Sequence, residues 1–76
     1  MTRNDQLWKQ IETSALALIT LPDSKPERIR DQRIELDALC MAYAIVEHGR
    51  QELIDEYTAI YRTQVLNWAH SIKTAA

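Results

Sequence analysis

Few side chains in this 76-residue sequence are suited to catalysis or metal binding. The most versatile are the single cysteine, Cys40, and the two histidines, His48 and His70. His48 and Glu52 are four residues apart, a spacing that places two ligands for a divalent metal on one face of a helix. The neighbouring sequence offers little to complete such a site, and the Glu-x-x-His pair of di-iron helical bundles does not occur. We therefore expect no metal or other cofactor here, and an ordinary surface pair.

Cys40 would act as a nucleophile only beside a base and with a lowered pKa. It lies instead in the most apolar stretch of the chain, residues 38–46, where burial raises the pKa of a thiol. We therefore expect Cys40 to pack in the core. Since the sequence offers no other catalytic constellation, we predict that the protein is not an enzyme.

A basic cluster lies at the start of the predicted second helix, where it could contact phosphate. The same segment carries as many acidic residues, which cancel most of the positive field. The basic members are Lys25, Arg28, Arg30 and Arg33, and the acidic ones are Glu27, Asp31, Glu35 and Asp37. Because the whole chain also has a formal charge of −2, nucleic acid is not the expected main partner.

An acidic patch follows further along the chain, with Arg50 as the only basic residue inside it. Its members are Glu47, Glu52, Asp55 and Glu56. Such a patch can serve solubility alone, or it can guide the protein towards a basic surface and raise the association rate. Large aromatic residues dominate binding hot spots wherever they are exposed. We therefore predict that a partner protein contacts this acidic patch together with Tyr61 and Trp68.

The composition predicts a single all-α domain spanning residues 1–76. Good helix formers dominate, phenylalanine is absent, and one glycine with two prolines is too little turn material for an all-β fold. No stretch approaches 18 uncharged apolar residues, so we expect no membrane span. With one cysteine no internal disulfide can form, and we expect a cytoplasmic location, where a lone thiol stays reduced.

The first helix is predicted to start near Asn4 or Asp5, because either side chain can cap free amides. It should end at Pro22, since a residue before proline is driven out of the α region. Between these limits the apolar residues recur at steps of three and four and share one face. They are Leu7, Trp8, Ile11, Ala15, Leu18 and Ile19.

The second helix is predicted to begin with a capping box formed by Ser24 and Glu27, in which each side chain satisfies a free amide of the first turn. Pro26 fits that first turn because the amides there have no partner within the helix. Further along, residues 38–46 are apolar without a break, and a helix that is apolar all round is buried all round. Two neighbouring helices cannot cover every face, so we predict a homodimer. Its interface should contain Leu39, Met41, Tyr43 and Val46.

The number of helices depends on Gly49. A histidine followed by glycine is typical of a helix C-terminus, but no Ser, Thr, Asp or Asn follows to begin a new helix. The preferred prediction is a three-helix bundle of the form helix-loop-helix-helix, with two helices, the second very long, as the alternative. The last helix carries its own apolar stripe. That stripe consists of Leu53, Ile54, Tyr57, Ile60, Tyr61, Val65, Trp68 and Ile72.

Taken together, the missing catalytic groups, the surplus apolar surface and the mild acidity predict a non-catalytic protein-binding module. It would act as a stoichiometric regulator or inhibitor by covering part of a partner protein of unknown identity. A stand-alone antagonist encoded by a phage or mobile element would fit the small size. The alternative is a small helical transcription-associated protein that contacts nucleic acid through the basic cluster.

Overall fold

In the computed structural model, which describes residues 3–75, the chain forms three α-helices in sequence. They are α1 (Arg3–Thr20), α2 (Pro26–His48) and α3 (Gln51–Ala75). Each helix packs against both others, and the described residues contain no strand. The predicted all-α bundle of three helices is confirmed.

The start of α1 differs from the prediction, whereas its end agrees. Asn4 and Asp5 lie inside the first turn, so neither is at the N-cap position, which falls outside the described residues. The Asn4 carboxamide instead donates a hydrogen bond to Glu47 Oε1 at 2.6 Å, which ties the start of α1 to the end of α2. At the other end α1 stops at Thr20, two residues before Pro22, as proline requires.

The predicted capping box at the start of α2 is wrong by one residue. Lys25 is the N-cap, and no side chain caps the helix. Pro26 explains the difference, since a proline keeps the residue before it out of the α region, and Lys25 adopts φ −124° and ψ 69°, outside that region. The carbonyl of Lys25 then accepts the first helical bond, from the Ile29 amide at 3.2 Å. Ser24 therefore lies one position too early to reach a first-turn amide in the predicted manner.

Gly49 separates α2 from α3, which excludes the two-helix alternative. Its φ of 68° and ψ of −3° are left-handed, and its amide donates to the Ile45 carbonyl at 3.0 Å. A side chain disfavours this conformation, so glycine is the residue expected here. α3 begins two residues later without the conventional N-cap that the sequence also lacks.

The core lies along the shared axis of the bundle and is built from small and medium side chains. Its fully buried apolar members are Ile11 and Ala15 of α1, Leu36, Cys40 and Ala44 of α2, and Val65 and Ala69 of α3. Four of these seven are alanine or cysteine, which allows the helices to approach closely. The burial predicted for Cys40 is confirmed.

The apolar run of α2 is covered on only part of its circumference. Its exposed side carries a line of apolar residues at steps of four, three and four, which we call the α2 stripe: Ile34, Ala38, Met41 and Ile45. Ile34 is 60% exposed, Met41 43% and Ile45 49%, and the neighbouring Val46 is 51% exposed. As predicted, α1 and α3 leave one face of this run uncovered in the single chain.

The predicted stripe of α3 is buried only in part. Val65 is 1% exposed, but Ile60 and Ile72 are 38% and 42% exposed. The three helices form a flat body with principal extents of 38, 26 and 17 Å, so each helix keeps an outer face. Apolar residues at the edge of the stripe therefore reach solvent.

Candidate functional site

Three aromatic rings meet where all three helices come together, one from each helix. Trp8 of α1 lies 5.1 Å from Tyr43 of α2 and 5.9 Å from Tyr61 of α3, measured between ring centroids. The two tyrosine rings are 4.9 Å apart at an angle of 89°. Such edge-to-face pairs contribute about 0.5–1.5 kcal/mol each beyond the area they bury. The three rings therefore join the helices at this level.

His48 and Tyr57 extend this group towards the turn between α2 and α3. The His48 ring stacks on Tyr57 at 3.7 Å between centroids, and its Nε2 is 2.8 Å from the Tyr61 hydroxyl. His48 is thus held by two tyrosines rather than directed at a metal with Glu52. Within residues 3–75 no group of three or more His, Cys, Asp or Glu side chains is arranged to hold a metal ion.

The rings form the floor of an open cleft of about 440 Å³ between α1 and α3, which we call the aromatic cleft. Trp8, Tyr43 and Tyr61 are each half-buried, so part of every ring remains accessible. Polar side chains complete the lining, and two of them are carboxylates. These polar residues are Asp5, Lys9, Glu12 and Gln64.

The surroundings of the aromatic cleft favour the protonated form of both tyrosines. Burial raises the pKa of Tyr43 above its ordinary value, and the Glu47 carboxylate, which is also hydrogen-bonded to the hydroxyl, raises it further. Burial likewise raises the pKa of Tyr61, with smaller contributions from Tyr43 and Glu47. A negative potential therefore reaches the cleft from the end of α2.

The fold gathers acidic residues at one end of the bundle. The start of α1, the end of α2 and the start of α3 lie there, because the helices run alternately up and down. We call residues 3–9 and 47–56 the acidic end. Its five acidic residues are Asp5, Glu47, Glu52, Asp55 and Glu56, and its basic residues are Arg3, Lys9 and Arg50. The sequence prediction considered only the second of these two segments.

No family model, curated protein or solved structure matches this chain. The site must therefore be interpreted from its own geometry.

The predicted partner-binding residues do not form one surface. Glu52, Asp55 and Glu56 are exposed at the acidic end. Glu47 is also exposed but is engaged by Asn4. Tyr61 lies in the floor of the aromatic cleft.

Trp68 lies away from the acidic end. It is seven residues beyond Tyr61, about 10 Å further along α3, and packs against the core. Sequence reasoning also missed Trp8 and Glu12, because nothing in their local sequence shows that α1 and α3 will bring them beside Tyr61.

The residues predicted for a subunit interface divide into two pairs. Met41 and Val46 are exposed, whereas Leu39 and Tyr43 are half-buried and pack against the core. Ile34 and Ile45 are exposed apolar residues that the prediction did not include. The alternating steps of three and four through Ile34, Ala38, Met41 and Ile45 were the signal that would have found them.

Cys40 is not equipped for nucleophilic chemistry. Burial, and then the nearby Asp37 carboxylate, raise the pKa of the thiol to about 11, while Arg62 acts in the opposite direction. Arg62 Nη1 and Asp37 Oδ1 are 3.0 Å apart and form an ion pair between α3 and α2. A thiol with this pKa is almost wholly protonated near pH 7, which matches the predicted packing role.

The basic cluster lies away from the acidic end. Arg28, Arg30 and Arg33 are exposed on the first turns of α2, at the end of the bundle opposite the acidic end. Among the described residues, no helix is both long enough and apolar enough to span a bilayer.

Proposed function

We propose that this chain is a non-catalytic protein-binding module that regulates or inhibits a partner protein by covering part of it. The partner contact rests on the acidic end, where Glu52, Asp55 and Glu56 are exposed, and self-association rests on the α2 stripe, whose large residues are 43% to 60% exposed. Contiguous apolar surface of this kind marks protein–protein contacts more often than it marks inert surface. The stripe is flanked along α2 by exposed charged residues, as is common at the rim of an interface.

The occupant that best fits the α2 stripe is a second copy of this chain. The chain exposes 5406 Å², whereas a folded monomer of 8.8 kDa is expected to expose about 4,800 Å². The uncovered apolar side of α2 is part of this exposed area, and a second copy of the stripe would bury it. A homodimer through α2 would also support a core that is small for a stable domain.

The acidic end is the surface proposed to face the partner protein. Glu52, Asp55 and Glu56 are exposed there, and Arg50 is the only basic residue in their segment. A surface with an excess of one sign of charge associates faster with a surface of the opposite charge. A basic protein surface is therefore the complement that we propose.

Affinity capture from the source lysate, read by mass spectrometry after nuclease treatment, tests this function. The wild-type protein should recover a specific protein, and a variant carrying Glu52→Lys, Asp55→Lys and Glu56→Lys should lose it. A variant carrying Arg28→Glu, Arg30→Glu and Arg33→Glu, matched in the number of charges reversed, should keep it. Recovery that vanishes with nuclease, or that depends on the arginines alone, would contradict the proposal and support the nucleic-acid alternative.

A further inference from the structure

We infer that the aromatic cleft receives a basic side chain, preferentially arginine, from the partner protein. The inference rests on the proposed function, because it specifies the chemistry by which that partner is recognised. It depends on three features of the cleft: accessible aromatic rings, an acidic rim, and a position that a second copy of the chain does not cover.

The floor of the cleft offers aromatic surface to a cation. Trp8, Tyr43 and Tyr61 all line it and remain partly accessible, with Trp8 and Tyr61 inclined at 78° to each other. Cations are attracted to aromatic faces, tryptophan being the strongest partner, and the energy rises where water is partly excluded. A planar guanidinium also stacks on such rings, which an ammonium group cannot do.

The rim of the cleft supplies the complementary charge. Asp5 and Glu12 both line it, and the Glu12 carboxylate can accept paired hydrogen bonds from guanidinium. Among the residues that the structure describes, Lys9 is the only basic one in the lining, and it lies between Asp5 and Glu12 on α1, so its ammonium competes with an incoming cation. The carboxylates disfavour an anionic ligand such as a phosphate group. The cleft volume of about 440 Å³ is at the lower end of the range for ligand sites, which suits one long side chain.

The cleft remains open when the α2 stripe is covered. Tyr43 lies two residues from both Met41 and Ile45, so it points to the opposite side of α2, about 160–200° around the helix. A dimer formed through the stripe would thus present two aromatic clefts on its outer surface. The cleft is also continuous with the acidic end, because Glu47 is bonded to Asn4 and contributes to the potential at Tyr43.

Titration of the labelled full-length chain with Nα-acetyl-arginine amide, followed by nitrogen–proton correlation NMR at low ionic strength, tests the inference. We expect a saturable shift of the Trp8 indole Nε1–H resonance, assigned with a Trp68→Phe variant, with millimolar affinity. Nα-acetyl-citrulline amide has the same shape without the charge, and it should cause no saturable shift. Equal responses to the two probes would overturn the inference, as would tighter binding of choline, which would indicate a small quaternary ammonium ligand.

Three variants make the test specific to the rim. Glu12→Gln should weaken arginine-amide binding about twofold to fivefold, and Lys9→Gln should strengthen it by a similar factor, as expected for single charges in a solvated site. Glu27→Gln, an exposed carboxylate at the other end of the bundle, should leave the affinity unchanged. An affinity that is the same in all three variants would overturn the inference.

The outcomes separate this inference from the proposed function. If lysate capture recovers a protein and neither Glu12→Gln nor Lys9→Gln changes its affinity, the cleft is not the contact and the inference fails alone. If arginine amide binds as expected but no protein is recovered, the proposed function fails while the cation site stands. Helical circular dichroism of each variant shows that the fold is intact.

Discussion

Cys40 is the only ionisable side chain among the fully buried residues that the structure describes. Its pKa is raised to about 11, chiefly by burial, whereas an exposed thiol ionises near pH 9. As the pH rises through this window the unfolded chain loses the proton first. The contribution of the buried thiol to stability is therefore complete below about pH 9 and is lost as the pH approaches 11.

We expect the free energy of unfolding of the wild-type protein to fall between pH 9 and pH 11, with Cys40 contributing on the order of 2 kcal/mol of the decrease. Cys40→Ala should remove this part, although its stability near pH 7 will be lower because a small cavity forms. The decline caused by Tyr43 and Tyr61, whose pKa values are also raised, should persist in the variant. Urea unfolding at several pH values measures how the free energy of unfolding changes with pH in the wild-type protein and in Cys40→Ala. The same change in both proteins would contradict the assignment to Cys40.

Gly49 provides a second prediction for a single residue. A Cβ at this position would meet nothing nearer than the Ile45 carbonyl at 4.0 Å, so the cost of a side chain is conformational rather than steric. Gly49→Ala should therefore lower stability by about 1–2 kcal/mol, and Gly49→Asn by less, because asparagine tolerates the left-handed region. Ser24→Ala, at the predicted cap that the helix does not use, should change stability by less than about 0.5 kcal/mol. Thermal melts rank the three variants. A large loss of stability in Ser24→Ala would indicate that the Ser24 side chain does cap α2.

Among the helices, α2 contributes apolar residues both to the core and to the exposed α2 stripe. Leu36, Cys40 and Ala44 recur every four residues and are fully buried against the other helices. The α2 stripe lies about 130° further around the helix, on the side that the other helices leave exposed. Because apolar residues occupy both sides, the sequence alone predicts a helix that is buried on every face.

Met41→Lys is expected to separate folding from self-association. Met41 is already 43% exposed, so the single chain should accommodate lysine with its helical content and melting temperature nearly unchanged. At the centre of a dimer interface the same unpaired charge should weaken association by about 2 kcal/mol or more, roughly thirtyfold in Kd. Sedimentation velocity at micromolar concentration should show a dimer for wild type and a monomer for the variant.

Thr63→Lys is the matched control, because it places the same charge on an exposed position of α3 outside the α2 stripe. It should sediment like the wild-type protein. A wild-type chain that remains a folded monomer at high concentration would remove the dimer from the proposal and leave the α2 stripe to another partner.

Over the whole molecule, the net charge differs between the two ends of the bundle. The acidic end contains five acidic and three basic residues, while residues 19–35 contain four of each sign. The formal charge of −2 is therefore concentrated at the acidic end. This excess of negative charge acts on approaching molecules over a Debye length of about 10 Å at moderate salt.

Reversal of Glu52, Asp55 and Glu56 to lysine should slow association with the captured partner about tenfold at low ionic strength. The dissociation rate should change less, because rim charges act mainly on the encounter. Stopped-flow or surface-based kinetics at several salt concentrations measure both rates, and the difference should shrink at high salt. The matched reversal of Arg28, Arg30 and Arg33 should not slow association. A slower association rate in that variant would contradict the proposal that the acidic end, and not the basic cluster, faces the partner.

The sequence by itself determined the three helices and the C-terminal ends of α1 and α2. Pro22 and Gly49 act on their own turn of backbone, so their effects could be predicted without any tertiary contact. The error at Ser24 has the same local origin, because Pro26 constrains Lys25 more strongly than a capping side chain can. Burial of Cys40 was also predictable, since every neighbour in its stretch is apolar.

Only the tertiary structure decided which surfaces the molecule presents. Trp8, Tyr43 and Tyr61 come from three different helices, and only the way these helices pack makes them one cleft instead of three separate core residues. The same packing left the α2 stripe exposed, placed Asp5 and Glu12 beside the three rings, and brought the start of α1 to the end of α2, where Asn4 bonds to Glu47. Periodicity along one helix shows which residues share a face, but it does not show which faces of other helices lie opposite, because that depends on contacts between residues far apart in the chain.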